Sequence, residues 1–225
     1  MKEKTIEPVA RIRTDFPGKF GIPRQSGIAE ELTGTIEFEK GFADRQAIRG
    51  IEEFSHLWLI WGFSENEGWS PTVRPPRLGG NVRRGVFATR SPFRPNGLGL
   101  SCVRLLKVED SGKGMPKLIV GGADLADGTP IYDIKPYIPY TDSRPDASSG
   151  FAPDPGKRLE VIIAEDIEEK IPEEKRAPLR KILSLDPRPQ YLGQGDREFG
   201  FVFAGFEIRF KVDEDRLTVL SAEKS

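Results

Sequence analysis

Asp133, Lys135 and Tyr137 occupy alternate positions, so an extended backbone would put a carboxylate, an ammonium and a phenol on one side of the chain. That set can bind and polarise a polar ligand or take a proton from it; it can equally be a cross-strand ion pair beside a snorkelling tyrosine. Just upstream, Asp124, Leu125, Ala126, Asp127, Gly128 and Thr129 contribute two more carboxylates, and Asp127-Gly128-Thr129 reads as a turn. A third set, Phe20-Gly21-Ile22-Pro23-Arg24-Gln25, presents a guanidinium and an amide from a loop stiffened by proline. His56 precedes an apolar run, where a lone histidine is more often structural than a ligand. Asp186-Pro187-Arg188-Pro189-Gln190-Tyr191 reads as a rigid loop that ends a helix.

The charge pattern points to a second kind of chemistry. The net charge is −1, yet residues 68–108 hold Arg74, Arg77, Arg83, Arg84, Arg90, Arg94, Arg104 and Lys107 with no Asp or Glu, a local charge of plus eight. An acid-free stretch in so charged a chain suits contact with phosphates, and the excess of Arg over Lys suits bidentate and stacking contacts to nucleic acid. The alternative is a solvated basic loop.

Several reaction classes lack the residues they need. One cysteine, Cys102, cannot build a disulfide framework, and with one histidine there are too few ligands for a structural zinc site, so a reducing, cytoplasmic setting is expected. A Ser-His-acid triad would have to use His56 and a Cys-His pair would need Cys102 with His56; neither has supporting context, and Cys102 sits in the apolar run Leu100 to Leu106. No GxxxxGK[ST] loop occurs and no strand leads into GxGxxG. Residues 1–7 are charged, without an apolar h-region, and no stretch approaches the roughly 18 apolar residues of a spanning helix. Neither secretion nor membrane insertion is therefore expected.

These groups must be positioned by short elements. Gly and Pro total 43 of 225 residues and punctuate apolar runs rich in Ile, Val, Phe and Trp, which reads as a β domain. Strands are expected at residues 9–13, 34–38, 57–63, 85–89, 98–108 and 117–124, with a turn over Asp110 to Gly114. The lack of crossover helices favours an antiparallel sheet or closed barrel over a doubly wound fold. The polar, Pro-rich segment Asp142 to Pro155 is the best linker, dividing the chain into residues 1–145, a linker at 146–157, and a small α+β unit at 158–225. In that unit a strand over 159–164, a short helix from Pro178 in its first turn, and a hairpin bulged near Gly205 are expected.

Taken together, KFGIPRQSG, GIEEFSHLWLIW, WSPTVRPPRLGGN, GVFATRSPFRPNGLGLS, DLADGTPIYDIKPYIPYTDS and LDPRPQY resemble the bacterial TsaA/TrmO-like family over nearly the whole chain. That family comprises S-adenosylmethionine-dependent tRNA methyltransferases acting on N6-threonylcarbamoyladenosine at position 37. The resemblance implies an antiparallel β-barrel that binds the cofactor without a Rossmann fold, usually as a homodimer, and a mainly β chain overall (α+β with the C-terminal unit). Carried over, the cofactor site would comprise Pro23, Arg24, Gln25, His56, Leu57, Arg90, Leu100, Asp124, Leu125, Ala126, Asp127, Gly128 and Thr129. Asp124 or Asp127 would hold the ribose diol or face the sulfonium. Asp133, Lys135 and Tyr137 are the candidates for activating the acceptor nitrogen, whose lone pair is delocalised into a urea. Arg74, Arg77, Arg83, Arg84 and Arg94 would grip the phosphates of the anticodon stem-loop, with Trp69 stacking on an unpaired base. The competing readings are a non-catalytic β-barrel RNA-binding module, which leaves the Asp127 to Tyr137 constellation unexplained, and a small-molecule hydrolase with Asp133 as base, which has no nucleophile or metal constellation to support it.

Overall fold

The computed structural model describes residues 5–64, 66–110, 114–154, 156–188 and 197–225. Its N-terminal part carries β1 (Ala10–Arg13), β2 (Thr33–Phe38), β3 (His56–Gly62), β4 (Thr72–Val73), β5 (Arg84–Gly85), β6 (Leu98–Asp110), β7 (Pro116–Gly121), β8 (Pro130–Pro136) and the one-turn helix α1 (Pro139–Asp142). Six of these strands pair antiparallel in the order β1-β2-β7-β6-β3-β8, and β8 pairs back with β1 through Ala10↔Ile131 and Arg11↔Pro130, so the sheet returns to itself.

The period-2 pattern decides what fills it. Leu57, Leu59 and Trp61 of β3 turn inward with Ile12, Ile36, Val103, Leu118, Val120 and Ile131, while Trp58 and Ile60 turn out. Gly99 lets β6 pass beneath Trp61: a Cβ there would lie 2.3 Å from the indole. Leu59 is fully buried, so Leu59→Ala is expected to remove about 3 kcal/mol of stability, read as a lower midpoint in thermal unfolding.

The C-terminal part carries β9 (Glu160–Ile162), α2 (Glu165–Glu168), α3 (Glu173–Ser184), β10 (Glu198–Phe203), β11 (Phe206–Asp213) and β12 (Arg216–Lys224). Its sheet runs β10-β11-β12-β9, with β9 parallel to β12. Leu179, Ile182 and Leu183 of α3 pack on Phe203, Ile208, Phe210, Leu217 and Val219. Phe16, Ala29 and Leu32, from the connection between β1 and β2, belong to this second core and not to the first.

Four local expectations change. Of residues 85–89 only Gly85 is paired, with Thr72, and Val86–Ala88 form a 3-10 turn closed by the Thr89 hydroxyl on the Val86 carbonyl at 2.8 Å. The strand expected to reach Asp124 ends at Gly121, because Gly122 adopts a positive φ of 76°. The C-terminal helix starts at Glu173, so Pro178 lies inside it, buried, rather than in its first turn. The slip near Gly205 is a two-residue hairpin turn with Ala204 and Gly205 both at positive φ; the irregularity lies instead where β12 faces Arg209 and Phe210. Ser111, Gly112 and Lys113 of the expected turn lie outside the described residues.

Candidate functional site

Where β3 ends, Trp61, Gly62 and Phe63 meet the β7–β8 loop and the β1–β2 connection around a cavity of about 260 Å³. The loop contributes Asp124, Leu125, Ala126 and Thr129, and the connection contributes Lys19, Ile22 and Pro23. Mainly apolar walls with, among the described residues, one carboxylate and one ammonium are the composition expected of a small-molecule site.

Asp124 is held by parts that are far apart in sequence. The Trp61 indole N–H donates to Ser101 Oγ at 2.9 Å, and the Ser101 hydroxyl donates to Asp124 Oδ1 at 2.6 Å. Ser101 is itself buried. Burial pushes the Asp124 carboxyl above its ordinary range, an effect opposed by the Ser101 hydroxyl, by backbone N–H groups of Asp124 and Ser26, and by Arg90. An anion that costs energy to expose to an apolar wall is poised to accept a cation or a donor.

The rest of the loop does different work. Asp127 Oδ1 accepts the Thr14 N–H at 3.0 Å and Oδ2 lies 3.5 Å from Arg13, while the Gly128 carbonyl accepts from Arg11 at 3.1 Å. The Thr129 hydroxyl donates to the Ala126 carbonyl at 2.8 Å. Asp127 thus ties the loop to β1, and Asp124 is the carboxylate in the cavity.

The other carried-over residues divide into three groups. Gln25 accepts from the Arg90 guanidinium beside Asp124, which joins the 23–25 segment to the basic segment. Arg24 turns the other way and donates to the Asp186 carbonyl at 3.2 Å. Leu57 is fully inside the core, whereas His56 and Leu100 lie away from the cavity wall; His56 Nδ1 is 2.9 Å from Ser55 Oγ and Leu100 is 55% exposed.

The triplet is not brought to the cavity. A bulge at Tyr132 lets Ile131 and Ile134 both turn inward, opposite Trp61 and Leu59, and sets Asp133 opposite Ile60 and Lys135 opposite Trp58 on the outer face. Asp133 and Lys135 form a half-exposed ion pair at 2.9 Å, and Tyr137 packs its ring against Trp58 and His56 at 5.7 and 6.2 Å. Spacing along an extended run placed the carboxylate and ammonium together but could not say which side of the sheet they share.

The basic segment keeps most of its charge. Among the described residues, Arg74, Arg77, Arg83, Arg84, Arg90 and Arg94 make no ion pair, whereas Arg104 meets Glu30 at 3.6 Å and Lys107 meets Glu109. Arg83 reaches the Thr72 hydroxyl at 3.1 Å, and Arg94 donates to the Thr89 and Ser91 carbonyls at 3.2 Å, so Arg94 braces its own loop. Trp69 and Phe87 stand out from this segment, 57% and 76% exposed.

Reading the residues singly overlooked Lys19, Trp61, Phe63 and Ser101. Each falls in or beside a segment whose pattern was noticed, but nothing in the order of residues shows that Trp61 and Ser101 sit back to back with Asp124. In the Asp186 loop, the carboxylate grips Arg188 at 2.7 and 2.8 Å; Pro189, Gln190 and Tyr191 lie outside the described residues. Among the described residues no group of three or more His, Cys, Asp and Glu could hold a metal ion, and no helix is long and apolar enough to cross a membrane.

Comparison with known proteins agrees over both parts of the chain. Residues 11–143 match the model of the tRNA-methyltransferase O N-terminal domain, and residues 156–225 match that of the TrmO C-terminal domain. The chain is 40% identical to the tRNA (adenine(37)-N6)-methyltransferase of Escherichia coli (strain K12), covering 99% of each. It is 46% identical to a putative S-adenosylmethionine-dependent methyltransferase, RcsF, of Pseudomonas aeruginosa, over 70% of this chain and 64% of that one. The crystal structure of TrmO from Pseudomonas aeruginosa superposes with a TM-score of 0.79 at 31% identity, covering 98% of this chain and 99% of that one. With both of its parts matched in order, the chain belongs to the tRNA-methyltransferase O family.

Proposed function

We propose that this protein transfers a methyl group from S-adenosylmethionine to N6 of adenosine 37 in tRNA, with N6-threonylcarbamoyladenosine as the acceptor. The observation that carries this reading is the buried Asp124 carboxylate in a cavity whose other charged group among the described residues is Lys19, beside a segment in which Arg74, Arg77, Arg83 and Arg84 make no ion pair among the described residues.

The donor set suits the cofactor. S-adenosylmethionine, when bound, supplies a methyl group on a positively charged sulfur. Asp124 offers the negative charge such a cation favours, and Lys19 offers an ammonium for an amino-acid carboxylate. Trp61, Phe63, Ile22 and Pro23 exclude water and restrict how a ligand lies, which matters because an in-line displacement gains much of its acceleration from alignment. Asp133, Lys135 and Tyr137 reach an acceptor only from the outer face of β8. Lys135→Met and Tyr137→Phe are therefore expected to leave cofactor affinity unchanged. A role in activating the acceptor shows as a kcat at least tenfold lower in methylation assays at saturating cofactor and tRNA, and an unchanged kcat removes them from the chemistry.

The same reading takes the closed sheet as a β-barrel joined through residues 146–157 to a separate C-terminal unit, in a cytoplasmic homodimer; sedimentation of the purified protein tests the dimer. Arg74, Arg77, Arg83 and Arg84 act on the phosphates, and Trp69 and Phe87 offer faces for stacking on unpaired bases. Arg83→Ala combined with Arg84→Ala is expected to weaken tRNA binding and to make the slope of log affinity against log salt shallower by about 1 to 2. A slope equal to that of the unaltered protein overturns the phosphate assignment. The direct test of the whole reading is calorimetric titration with S-adenosylmethionine: micromolar binding supports it, and no binding to folded protein leaves an RNA-binding module as the better account.

A further inference from the structure

The connection between β1 and β2, residues 14–32, forms one wall of the cavity through Lys19, Ile22 and Pro23. On its barrel side it is tied at both ends: the Asp127 N–H donates to the Phe16 carbonyl at 2.7 Å, the Gly27 N–H to the Gly122 carbonyl at 2.9 Å, and the Cys102 N–H to Ser26 Oγ at 3.1 Å. Gln25 adds a contact to Arg90, and the same connection also meets the C-terminal unit. Phe16 packs on Phe203 at 5.4 Å, the Ala204 N–H donates to the Asp15 carbonyl at 2.9 Å, and Lys175 pairs with Asp15 at 2.5 Å.

Two contacts flank the wall residues directly. Gly21 adopts a φ of 83° and lies against Phe201, so closely that a Cβ would fall 2.3 Å from the ring. Arg24 donates to the carbonyl of Asp186, which sits at a φ of 54° with its carboxylate occupied by Arg188. Ile22 and Pro23 lie between these two fixed points. Unsupported, a connection containing Gly18, Gly21 and Gly27 samples many conformations and must be ordered when a ligand binds.

We propose that the C-terminal unit is the positioning element of the cofactor cavity, with Phe201 under Gly21 and the Asp186 carbonyl on Arg24 holding Lys19, Ile22 and Pro23 in place before the ligand arrives. Phe201 and Asp186 are positioning residues: they act through the wall and do not touch the reacting atoms. This inference rests on the cofactor reading of the cavity and adds what the second unit does for it.

The test compares full-length variants. Phe201→Ala is expected to raise both the Kd and the KM for S-adenosylmethionine about tenfold while kcat at saturating cofactor stays within about twofold, and Phe201→Leu is expected to recover most of the affinity. Leu217→Ala, in the same core but two strands from Phe201, is expected to lower thermal stability comparably and leave the Kd unchanged. Wild-type affinity in folded Phe201→Ala overturns the proposal. So does an equal loss of affinity in Leu217→Ala, which would show general loosening instead of support at one point. Failure of the unaltered protein to bind S-adenosylmethionine is a different result, and it removes the cofactor reading itself.

Discussion

Asp124→Asn is expected to weaken S-adenosylmethionine binding by about 10- to 100-fold and to leave the protein as stable as before or more so. A charge-assisted contact contributes about 1.5 to 3 kcal/mol, and about 1.4 kcal/mol is a tenfold change in affinity. Stability moves the other way because burial raises the Asp124 pKa above the ordinary carboxylate range. The folded chain therefore disfavours the carboxylate. The penalty is absent at pH values below the unfolded-state pKa, grows as the pH rises toward the folded-state pKa, and is complete above it. Asparagine keeps the shape and a partner for Ser101 but carries no charge, so its advantage in thermal unfolding should appear at neutral pH and vanish in acid.

Binding of a cation favours the ionised form of Asp124, so wild-type affinity should rise with pH through the folded-state pKa and then level off, while the asparagine variant stays flat. Calorimetric titrations across that range read both effects. Near wild-type affinity in Asp124→Asn, with no difference in pH profile, would show that the carboxylate serves as a hydrogen-bond acceptor for a ribose hydroxyl and not as a counter-charge.

Gly99→Ala should be the most damaging small substitution in the six-stranded sheet. The added Cβ meets the Trp61 indole at 2.3 Å, and that ring is fixed on three sides: it is buried in the core, packs edge-on against Phe63 at 4.4 Å, and donates to Ser101. Overpacking a rigid ring costs about 1 to 3 kcal/mol, and displacing its N–H from Ser101 adds about 1 kcal/mol. For a chain of this length the unfolding midpoint should fall by about 5 to 10 °C. Trp61 also forms a wall of the cavity and begins the hydrogen-bond chain to Asp124, so cofactor affinity should fall with it. A midpoint within a degree of the unaltered protein, with unchanged tryptophan fluorescence, would mean that β6 yields at no energetic penalty and that Trp61 is not held as described.

Local signals carried much of the architecture. Short apolar runs bounded by Gly and Pro announced β1, β2, β3, β6 and β7 to within a few positions, since β-branched and aromatic residues between turn formers favour a half-buried strand wherever they occur. The basic stretch was visible as composition, because absent acids need no partner to be noticed. Pro178 was misplaced for an equally local reason: proline most often marks a first turn, and only packing of α3 on the C-terminal sheet shows it carried inside a longer helix. Similarly, Val86 to Ala88 had strand-like composition but lacked a strand to pair with.

The motifs around Pro23, Asp124 and Arg90 carried a resemblance to a known family, and it was that resemblance, not the residue types alone, that named the chemistry to be expected. Which of two neighbouring carboxylates enters the cavity was not legible: Asp127 is drawn to Thr14 and Arg13, and Asp124 to Ser101 beneath Trp61. Nor was the side of β8 on which Asp133 and Lys135 stand, which the bulge at Tyr132 decides. The attachment of residues 14–32 to the second core was equally hidden. Spacing along a chain encodes only period and local charge, whereas the desolvation of a carboxylate and the facing of a strand depend on groups that approach from other elements, and those exist only once the chain has folded.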